Sequence, residues 1–339
     1  MNRNGILAGG NFIIDHVKII DGWPEQDMLA NIRRETSSNG GGPYNVLKDL
    51  AAMKASFPLA AAGLVGDDAN GRWILNDCTT AGIDTSRLTQ TADAPTSYTD
   101  AMTVEGTGRR TFFHQRGANA LLGEAHFDFS GQSYRWFHLG YLMLLDEMDR
   151  LLPDGRTVAS KVLEKAKQAD LITSVDIVSA DDPHFREITL ASLPYTDHLI
   201  INEIEAGKAA GLPIRQSDGG LEKQAAIEAA RVLLEYGVSS TVVIHFVEGA
   251  VAMDARGDVT VQGSWSLPKK GFIVGATGAG DAFAAGYLHA MHDCASVPDA
   301  LELAVTTAAA CLTDPTPSGG LRPIPDCRSL VSGMSQFSL

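Results

Sequence analysis

The residue types best suited to chemistry lie in a glycine-rich stretch near the C-terminus, Thr277-Gly278-Ala279-Gly280-Asp281. A helix that begins here leaves several backbone N–H groups without partners at the positive end of its dipole, so the turn can hold phosphate oxygens without a lysine. Asp281 would lie beside the bound anion and could accept a proton from an attacking hydroxyl. The alternative is a plain helix start whose acid only complements the dipole.

Two common nucleotide-binding loops match this stretch poorly. A Walker A loop requires Lys-Ser/Thr after its glycines, and none follows here. A Rossmann loop follows the first strand of its unit and needs an acid about 20 residues later, whereas this stretch lies near the end of the chain. The sequence therefore indicates an anion-binding turn of another kind.

A second glycine run, Asn39-Gly40-Gly41-Gly42-Pro43-Tyr44-Asn45, leads into another predicted helix. Backbone without side chains at Gly41 and Gly42 lets a ligand approach closely. The Asn45 amide offers both a donor and an acceptor to the hydroxyls of a polyhydroxylated ligand. The alternative is a flexible hinge before the helix.

Asn202 and Glu205 lie three residues apart where a predicted strand ends and a helix begins. Open α/β sheets bind ligands at the carboxyl ends of their strands. Oxygen donors suit Mg²⁺, usually through retained waters. The same spacing is also that of a capping box, with Asn as the N-cap and Glu at N3.

Composition and charge narrow the function classes. The chain has 339 residues, 45% apolar and 20% charged, as in ordinary globular proteins. Its 27 Lys and Arg against 41 Asp and Glu give a net charge of −14, which repels nucleic-acid phosphates and anionic membrane surfaces. Four cysteines without a CxxC pair indicate neither a zinc site nor a disulfide framework. Without a signal-peptide pattern or an apolar run of about 18 residues, we expect a cytoplasmic protein with no nucleic-acid or membrane partner.

Apolar runs bounded by turn residues alternate with segments of helical periodicity. This pattern predicts an α/β fold, a doubly wound, mostly parallel sheet with helices on both faces, in a single domain over residues 1–339. The predicted strands are Ile6–Ile14, Leu59–Val65, Trp136–Leu139, Leu171–Val175, His198–Ile201 and Thr241–His245. The predicted helices are Pro43–Met53, Ala69–Ala81, Thr157–Gln168, Ile204–Ala210, Leu221–Glu235, 280–292 and 297–312.

Two segments, about 16–38 and 96–116, break this alternation because they carry β-type patterning and supply no helix. We expect them to form a small β-sheet lid outside the main sheet. Such a lid has an apolar face that needs cover, either from a bound ligand or from a partner subunit.

In this order along the chain, the motifs resemble the ribokinase-like (PfkB) carbohydrate kinase family, and the resemblance covers essentially the whole chain. Any one motif is weak or moderate evidence, whereas six in this order are strong. They are Gly9-Gly10-Asn11 with Asp15, Gly40-Gly41-Gly42-Pro43-Tyr44-Asn45, Leu64-Val65-Gly66-Asp67-Asp68-Ala69-Asn70-Gly71 with Ala81-Gly82-Ile83-Asp84-Thr85, Gly117-Ala118-Asn119-Ala120, Asn202-Glu203-Ile204-Glu205, and Thr277-Gly278-Ala279-Gly280-Asp281-Ala282-Phe283.

The resemblance implies an ATP-dependent kinase that transfers the γ-phosphoryl group to a hydroxyl of a small sugar or sugar acid. It implies that Gly278, Ala279 and Gly280 stabilise the transferring group and that Asp281 is the base. The lid would cover the sugar and make the contact of a homodimer.

The resemblance also implies binding roles. The residues expected to contact the sugar are Asp15, Gly41, Gly42 and Asn45. Those expected to contact the nucleotide are Asn202, Glu205, Thr277 and Gly249, with Asn202 and Glu205 placing Mg²⁺ through water. Arg110, beside a lid turn, could meet an acidic substrate group, or be a solvated charge.

The sequence departs from the family pattern in three places. Gly275 stands where an Asp is common, which makes a K⁺ site doubtful. The nucleotide loop keeps only its second glycine, Gly249. Gly42 replaces the Lys of ribokinases, and its surroundings are closer to fructokinases and 2-keto-3-deoxygluconate kinases. A ribokinase, a nucleoside kinase and a catalytically silent nucleotide- or sugar-binding regulator remain the alternatives.

Overall fold

The computed structural model describes residues 3–107, 109–268 and 271–339. Its strands are β1 (Ile6–Gly10), β2 (Ile13–Ile20), β3 (Ile32–Gly40), β4 (Leu59–Gly66), β5 (Asp84–Thr91), β6 (Tyr98–Val104), β7 (Arg110–Gln115), β8 (Trp136–Leu142), β9 (Ile172–Ile177), β10 (His198–Asn202), β11 (Thr241–Phe246), β12 (Gly249–Asp254) and β13 (Val259–Gly263). Its α-helices are α1 (Gly42–Ala52), α2 (Ala69–Thr80), α3 (Asp146–Asp149), α4 (Val158–Gln168), α5 (Phe185–Ser192), α6 (Glu203–Ala210), α7 (Lys223–Glu235), α8 (Ala279–His292), α9 (Val297–Cys311) and α10 (Ile324–Val331).

The main sheet has nine strands within the described residues, in the order β13-β12-β11-β10-β9-β8-β1-β4-β5. The strands from β11 to β5 are parallel, and β12 and β13 add an antiparallel edge. Successive residues of a strand point to opposite faces. Leu7 accordingly packs into one apolar core with α4, α6 and α7, while Ile6 and Ala8 pack into another with α1, α8 and α9. This doubly wound arrangement confirms the predicted fold class.

One predicted strand, Ile6–Ile14, is wrong because the structure divides it in two. β1 pairs with β4 and β8 and ends at Gly10, and β2 leaves the main sheet to pair with β3 and β6. Gly10 has a φ of +130°, and a Cβ there would lie 1.8 Å from the Gly140 carbonyl oxygen. β8 therefore approaches β1 closely at the residue where β1 ends, and the apolar residues on both sides of the break hid it from the sequence pattern.

β5, β12, β13, α5 and α10 were not predicted. β5 is an edge strand in which only Leu88 is buried, so its polar residues lack the apolar run expected of a strand in a parallel sheet. α5 and α10 are short helices of eight residues each.

The second sheet confirms the predicted lid. Its strand order is β3-β2-β6-β7, drawn from the two segments that carried the β pattern. Apolar side chains remain exposed on it, among them Met28 and Leu29, and Trp23 stacks on Phe113 with ring centroids 6.2 Å apart. The lid therefore has an uncovered apolar surface. Among the described residues, no helix is long and apolar enough to cross a membrane.

Candidate active site

A cavity of about 220 Å³ opens at the carboxyl edge of the main sheet, where β8, β9, β10 and β11 end and α6 and α8 begin. This is the edge at which open α/β sheets bind ligands. Its lining includes the carboxyl groups of Asp176, Glu205 and Asp281 and the backbone of residues 278–280. The cavity therefore joins an acidic surface to the N-terminal turn of α8.

The glycine-rich turn forms the start of α8, as predicted. Gly278 is its N-cap with a φ of +80°, and a Cβ there would lie 2.6 Å from the Pro317 Cβ. Only glycine meets both conditions without strain. A Cβ at Gly280 would lie 3.3 Å from the His245 ring, so this glycine also keeps the turn close to β11.

Asp281, in the first turn of α8, is almost fully buried and accepts two hydrogen bonds. Asn45 Nδ2 donates to Oδ2 at 2.7 Å, and the Tyr141 hydroxyl donates to Oδ1 at 2.5 Å. Burial raises the pKa of Asp281 to about 6, and the two hydrogen bonds oppose that rise because they favour the charged form. The group is therefore a carboxylate at neutral pH and can accept a proton.

Asp15 lies on β2, at the base of the lid. Burial and the charge of Asp281 raise its pKa to about 7, against a lowering hydrogen bond from Thr99. The glycine run closes around it: a Cβ at Gly40 would lie 2.5 Å from the Asp15 carboxyl, and one at Gly41 would lie 2.3 Å from the Asn11 carbonyl oxygen. The run is therefore packed, which argues against the alternative of a flexible hinge. The glycine run and Asn45 together place the residues that are predicted to contact the sugar on one side of Asp281.

Gly42 is constrained by a different neighbour. A Cβ at this position would lie 2.8 Å from Tyr141 Cε1, so the ring of Tyr141 takes the space that a side chain at position 42 would need. The small residue at position 42 and the large one at position 141 therefore depend on each other.

Sequence reasoning missed several residues of the cavity, among them Tyr141, Asp176 and His245. Tyr141 lies two residues after the predicted strand end at Leu139, and Asp176 lies one residue after the predicted end at Val175. Polar or aromatic residues just beyond a strand's carboxyl end were thus the available signal. Burial lowers the pKa of His245 to about 4, so its ring is neutral beside the turn.

Asn202 and Glu205 form the capping box that was one of the two sequence interpretations. Asn202 Oδ1 accepts from the Ile204 and Glu205 N–H groups, each at 2.9 Å, and the Asn202 N–H donates to Glu205 Oε2 at 2.8 Å. Glu205 Oε1 accepts from Asn202 Nδ2 at 2.7 Å and from the Ser179 hydroxyl at 2.8 Å. The pair therefore starts α6, and both carboxyl oxygens of Glu205 are engaged.

The donor set also fits Mg²⁺. Burial and the nearby Glu205 carboxyl raise the pKa of Asp176 well above its usual range, and burial raises that of Glu205. Two carboxyl groups in one cavity favour the entry of a hard cation, which prefers oxygen ligands. In the described part of the chain no three His, Cys, Asp or Glu residues are grouped to hold a metal directly. Contact through water preserves the hydrogen bonds of Glu205.

Arg110 and Gly249, which were expected to contact the substrate and the nucleotide, are not among the residues that line the cavity. Arg110, at the start of β7, reaches across to the glycine-rich turn and donates to the Thr277 hydroxyl. Gly249 pairs with Gly263 in the β12–β13 hairpin, where a Cβ would lie 2.1 Å from the Gln262 carbonyl oxygen. Gly249 therefore allows close strand pairing, and it is not among the residues that line the cavity.

Gly275 is confined by the loop opposite the turn. A Cβ there would lie 2.8 Å from both the Asp314 carbonyl oxygen and the Pro315 Cα. Real Cβ atoms do not approach backbone so closely, so the turn has no room for an acidic side chain at this position unless the loop moves.

Comparisons with known proteins give one family. The model of the pfkB family carbohydrate kinases matches residues 5–322. An ATP-dependent ribose-1-phosphate kinase of Halopiger xanaduensis is 30% identical over 125 residues, 36% of this chain and 40% of that protein. Probable fructokinase-7 of Arabidopsis thaliana is 29% identical over 174 residues, 50% of this chain and 47% of that protein. The match therefore spans less than half of each of these two relatives. The ribokinase of Arabidopsis thaliana is 24% identical over 94% of this chain and 78% of that protein.

Solved structures agree on the fold. Ribokinase from Giardia lamblia superposes with a TM-score of 0.78 at 18% identity, over 96% of this chain and 99% of that one. Ribokinase from Thermotoga maritima superposes with a TM-score of 0.78 at 18% identity, over 97% of this chain and 100% of that one. Identities this low show the fold alone. Because the family model covers nearly the whole chain, the protein belongs to the pfkB family of carbohydrate kinases.

Proposed function

We propose that this chain is an ATP-dependent kinase that phosphorylates a hydroxyl of a small sugar or sugar acid. The observation that carries the proposal is the placement of Asp281, a buried carboxylate held by Asn45 and Tyr141 directly beside the N–H groups of the glycine-rich turn. A base and an anion-binding turn in contact are what phosphoryl transfer to an alcohol requires, because most of its catalysis is positioning and charge stabilisation.

In this mechanism Asp281 takes the proton of the acceptor hydroxyl as the hydroxyl oxygen bonds to the γ-phosphorus. The bond between the γ-phosphorus and the bridging oxygen breaks, and its electron pair leaves with ADP. The N–H groups of residues 278–280 stabilise the charge on the transferring group. Asp176 and Glu205 would hold Mg²⁺ through water, and Mg²⁺ would neutralise phosphate charge.

For the acceptor, we propose a keto-hexose or a 2-keto-3-deoxy sugar acid in preference to ribose. The support is the sequence Gly42-Pro43-Tyr44-Asn45-Val46, in which a glycine stands at the position where ribokinases carry a lysine. A ribokinase or a nucleoside kinase is the second candidate, favoured by the ribose-related relatives.

Arg110 has a revised role in this proposal. Its contact with Thr277 directs the guanidinium towards the phosphate side of the site, so we propose that it meets the transferring phosphoryl group and not a sugar carboxylate. An arginine offers several N–H groups, and the one used by Thr277 leaves others for phosphate oxygens.

The exposed apolar surface of the lid supports a homodimer. Trp23 and Phe113 are each 52% exposed although they stack on each other, and aromatic side chains of this kind are enriched in subunit contacts. We propose that the lid of a second copy covers them.

The first prediction concerns the reaction and its base. ADP release is measured with fructose, 2-keto-3-deoxygluconate, ribose and adenosine, and turnover is expected on at least one sugar. Asp281→Asn should lower kcat by roughly 10²- to 10⁴-fold with nucleotide binding retained, because the general base is lost.

The base acts as a carboxylate with a pKa of about 6, so kcat/KM of the wild type should rise through about pH 6 and then level. Absence of turnover on every acceptor would favour the silent regulator.

The second prediction concerns Arg110. Arg110→Ala should lower kcat about tenfold or more, equivalent to about 1.4 kcal/mol of barrier, because the positive charge that faces the phosphoryl group is removed. Arg109→Ala, an exposed arginine one residue earlier, is the matched control and should retain wild-type kcat. Equal kcat values for the two variants would contradict the role.

The third prediction is that K⁺ activates weakly or not at all, because Gly275 offers only a carbonyl and the turn has no room for an acid there. Initial rates at saturating ATP and sugar are compared with K⁺ and with a bulky organic cation at constant ionic strength. A rise of about tenfold or more with K⁺ would refute it.

The fourth prediction is that the wild type sediments as a dimer and that a Trp23→Ser/Phe113→Ser variant sediments as a monomer, since the apolar contact is removed. Tyr236→Ser, which alters an exposed aromatic residue outside the lid, should leave the dimer intact. A wild-type monomer at micromolar concentration would rule out the lid contact.

A further inference from the structure

Asn39 is a buried polar residue to which neither the sequence motifs nor the proposed mechanism assigned a role. It is the second-to-last residue of β3 and lies opposite Ile14 of β2. Its Nδ2 donates to Asn45 Oδ1 at 2.7 Å and to the Ser318 hydroxyl oxygen at 2.9 Å. Both hydrogens of the Asn39 amide nitrogen therefore have acceptors.

The bond to Asn45 bears directly on Asp281. An asparagine side chain has a donor end and an acceptor end of nearly the same shape. Because Asn39 donates to the acceptor end of Asn45, the donor end of Asn45 must face Asp281, where it lies 2.7 Å from Oδ2. If Asn45 were reversed, its carbonyl oxygen would face the carboxylate, and attraction would become repulsion.

We propose that Asn39 is a positioning residue that selects the orientation of the Asn45 amide and, through it, sets the hydrogen bonding of the base Asp281. The proposal rests on the proposed function only in naming Asp281 as the base. The three side chains lie on β3, α1 and α8, and each is at least nine-tenths buried. The amide groups of Asn39 and Asn45 are therefore shielded from solvent, so water does not replace their hydrogen-bond partners.

The position of Asn39 also links the lid to the base. β3 pairs with β2 residue by residue from Ile13 and Gly40 outwards, and Asp15 lies opposite Ser38. The same strand that carries the lid thus holds Asn39 beside the base. The orientation of the Asn45 donor towards Asp281 therefore depends on the inner end of this lid strand.

Asn39→Asp is the most informative variant because it keeps the shape of the side chain and reverses its polarity. A carboxylate at this position accepts a hydrogen bond from Asn45 Nδ2 and turns the Asn45 carbonyl oxygen towards Asp281. Asn39→Ala removes the donor without imposing the reverse. Ser38→Ala is the matched control, since Ser38 is equally buried on the same strand and its hydroxyl has no hydrogen-bond partner within the described residues.

The experiment measures kcat, KM for the sugar and the pH dependence of kcat for these variants. We expect kcat to fall at least tenfold in Asn39→Asp, less in Asn39→Ala and not in Ser38→Ala, with KM changed less than about threefold throughout. The acid limb of the pH profile should move upward by about one pH unit in Asn39→Asp and less in Asn39→Ala. The carboxyl introduced by Asn39→Asp adds a charge that by itself raises the pKa of Asp281, so the neutral variant Asn39→Ala isolates the effect of the lost donor. The titratable groups that already face Asp281 are the same in every variant; they are Tyr141 on β8, Asp176 on β9, Asp15 on β2, Asp49 on α1 and Cys311 on α9.

Equal loss of kcat in Asn39→Asp and Asn39→Ala, with the acid limb unmoved, would overturn the proposal and leave Asn39 a packing residue. If Asn39→Asp does not fold, Asn39→Ala decides, and an acid limb identical to that of Ser38→Ala refutes the role. Titration of the Asp281 carboxyl by ¹³C NMR gives the same ordering without turnover. A failure of the proposed kinase activity is therefore distinguishable from a failure of the positioning role.

Discussion

The burial of one carboxylate, that of Asp281, is the constraint on which the rest of the structure depends. A buried charge without partners costs several kcal/mol, whereas a hydrogen bond to a charged group contributes about 1.5–3 kcal/mol. The two donors come from different elements, Asn45 from α1 and Tyr141 from β8. The charge is therefore tolerated only when α1, β8 and α8 are docked in their exact mutual positions, and the same docking assembles the cavity.

The close packing of backbone around this carboxylate explains why glycine stands at Gly41 and Gly278. Gly41 and Gly278 both have positive φ values, and an added Cβ at either would meet an atom of another segment within 2.6 Å. Several buried carboxyl groups lie around this space: burial raises the pKa values of Asp15, Asp176 and Glu205, and the charge of Asp281 adds to the rise at Asp15 and Asp176. An anionic ligand is acceptable there only next to the N–H groups of the turn, with a cation to offset the carboxyl groups.

The periodicity of the chain predicted most of the main sheet and most of its helices correctly, because those elements bury a continuous apolar face, and its β-type alternation predicted the lid. It failed at β1 and β2, where apolar residues continue across a break that lies where Gly140 approaches Gly10. It also failed at β5, whose polar edge strand is held by pairing with β4 and not by its own pattern. Such elements are specified by their neighbours and have little signal of their own.

At the candidate site, the sequence by itself determined the local devices: a glycine turn before a helix with an acid in its first turn, a capping box at Asn202 and Glu205, and a glycine run before Asn45. Each consists of residues within a few positions of one another, so spacing alone carries the physics. Only the tertiary structure decided that Tyr141 and Asn45 hold Asp281 and that Arg110 reaches Thr277. Those pairs lie up to 236 residues apart, and their contact depends on the packing of whole elements, which no local pattern encodes.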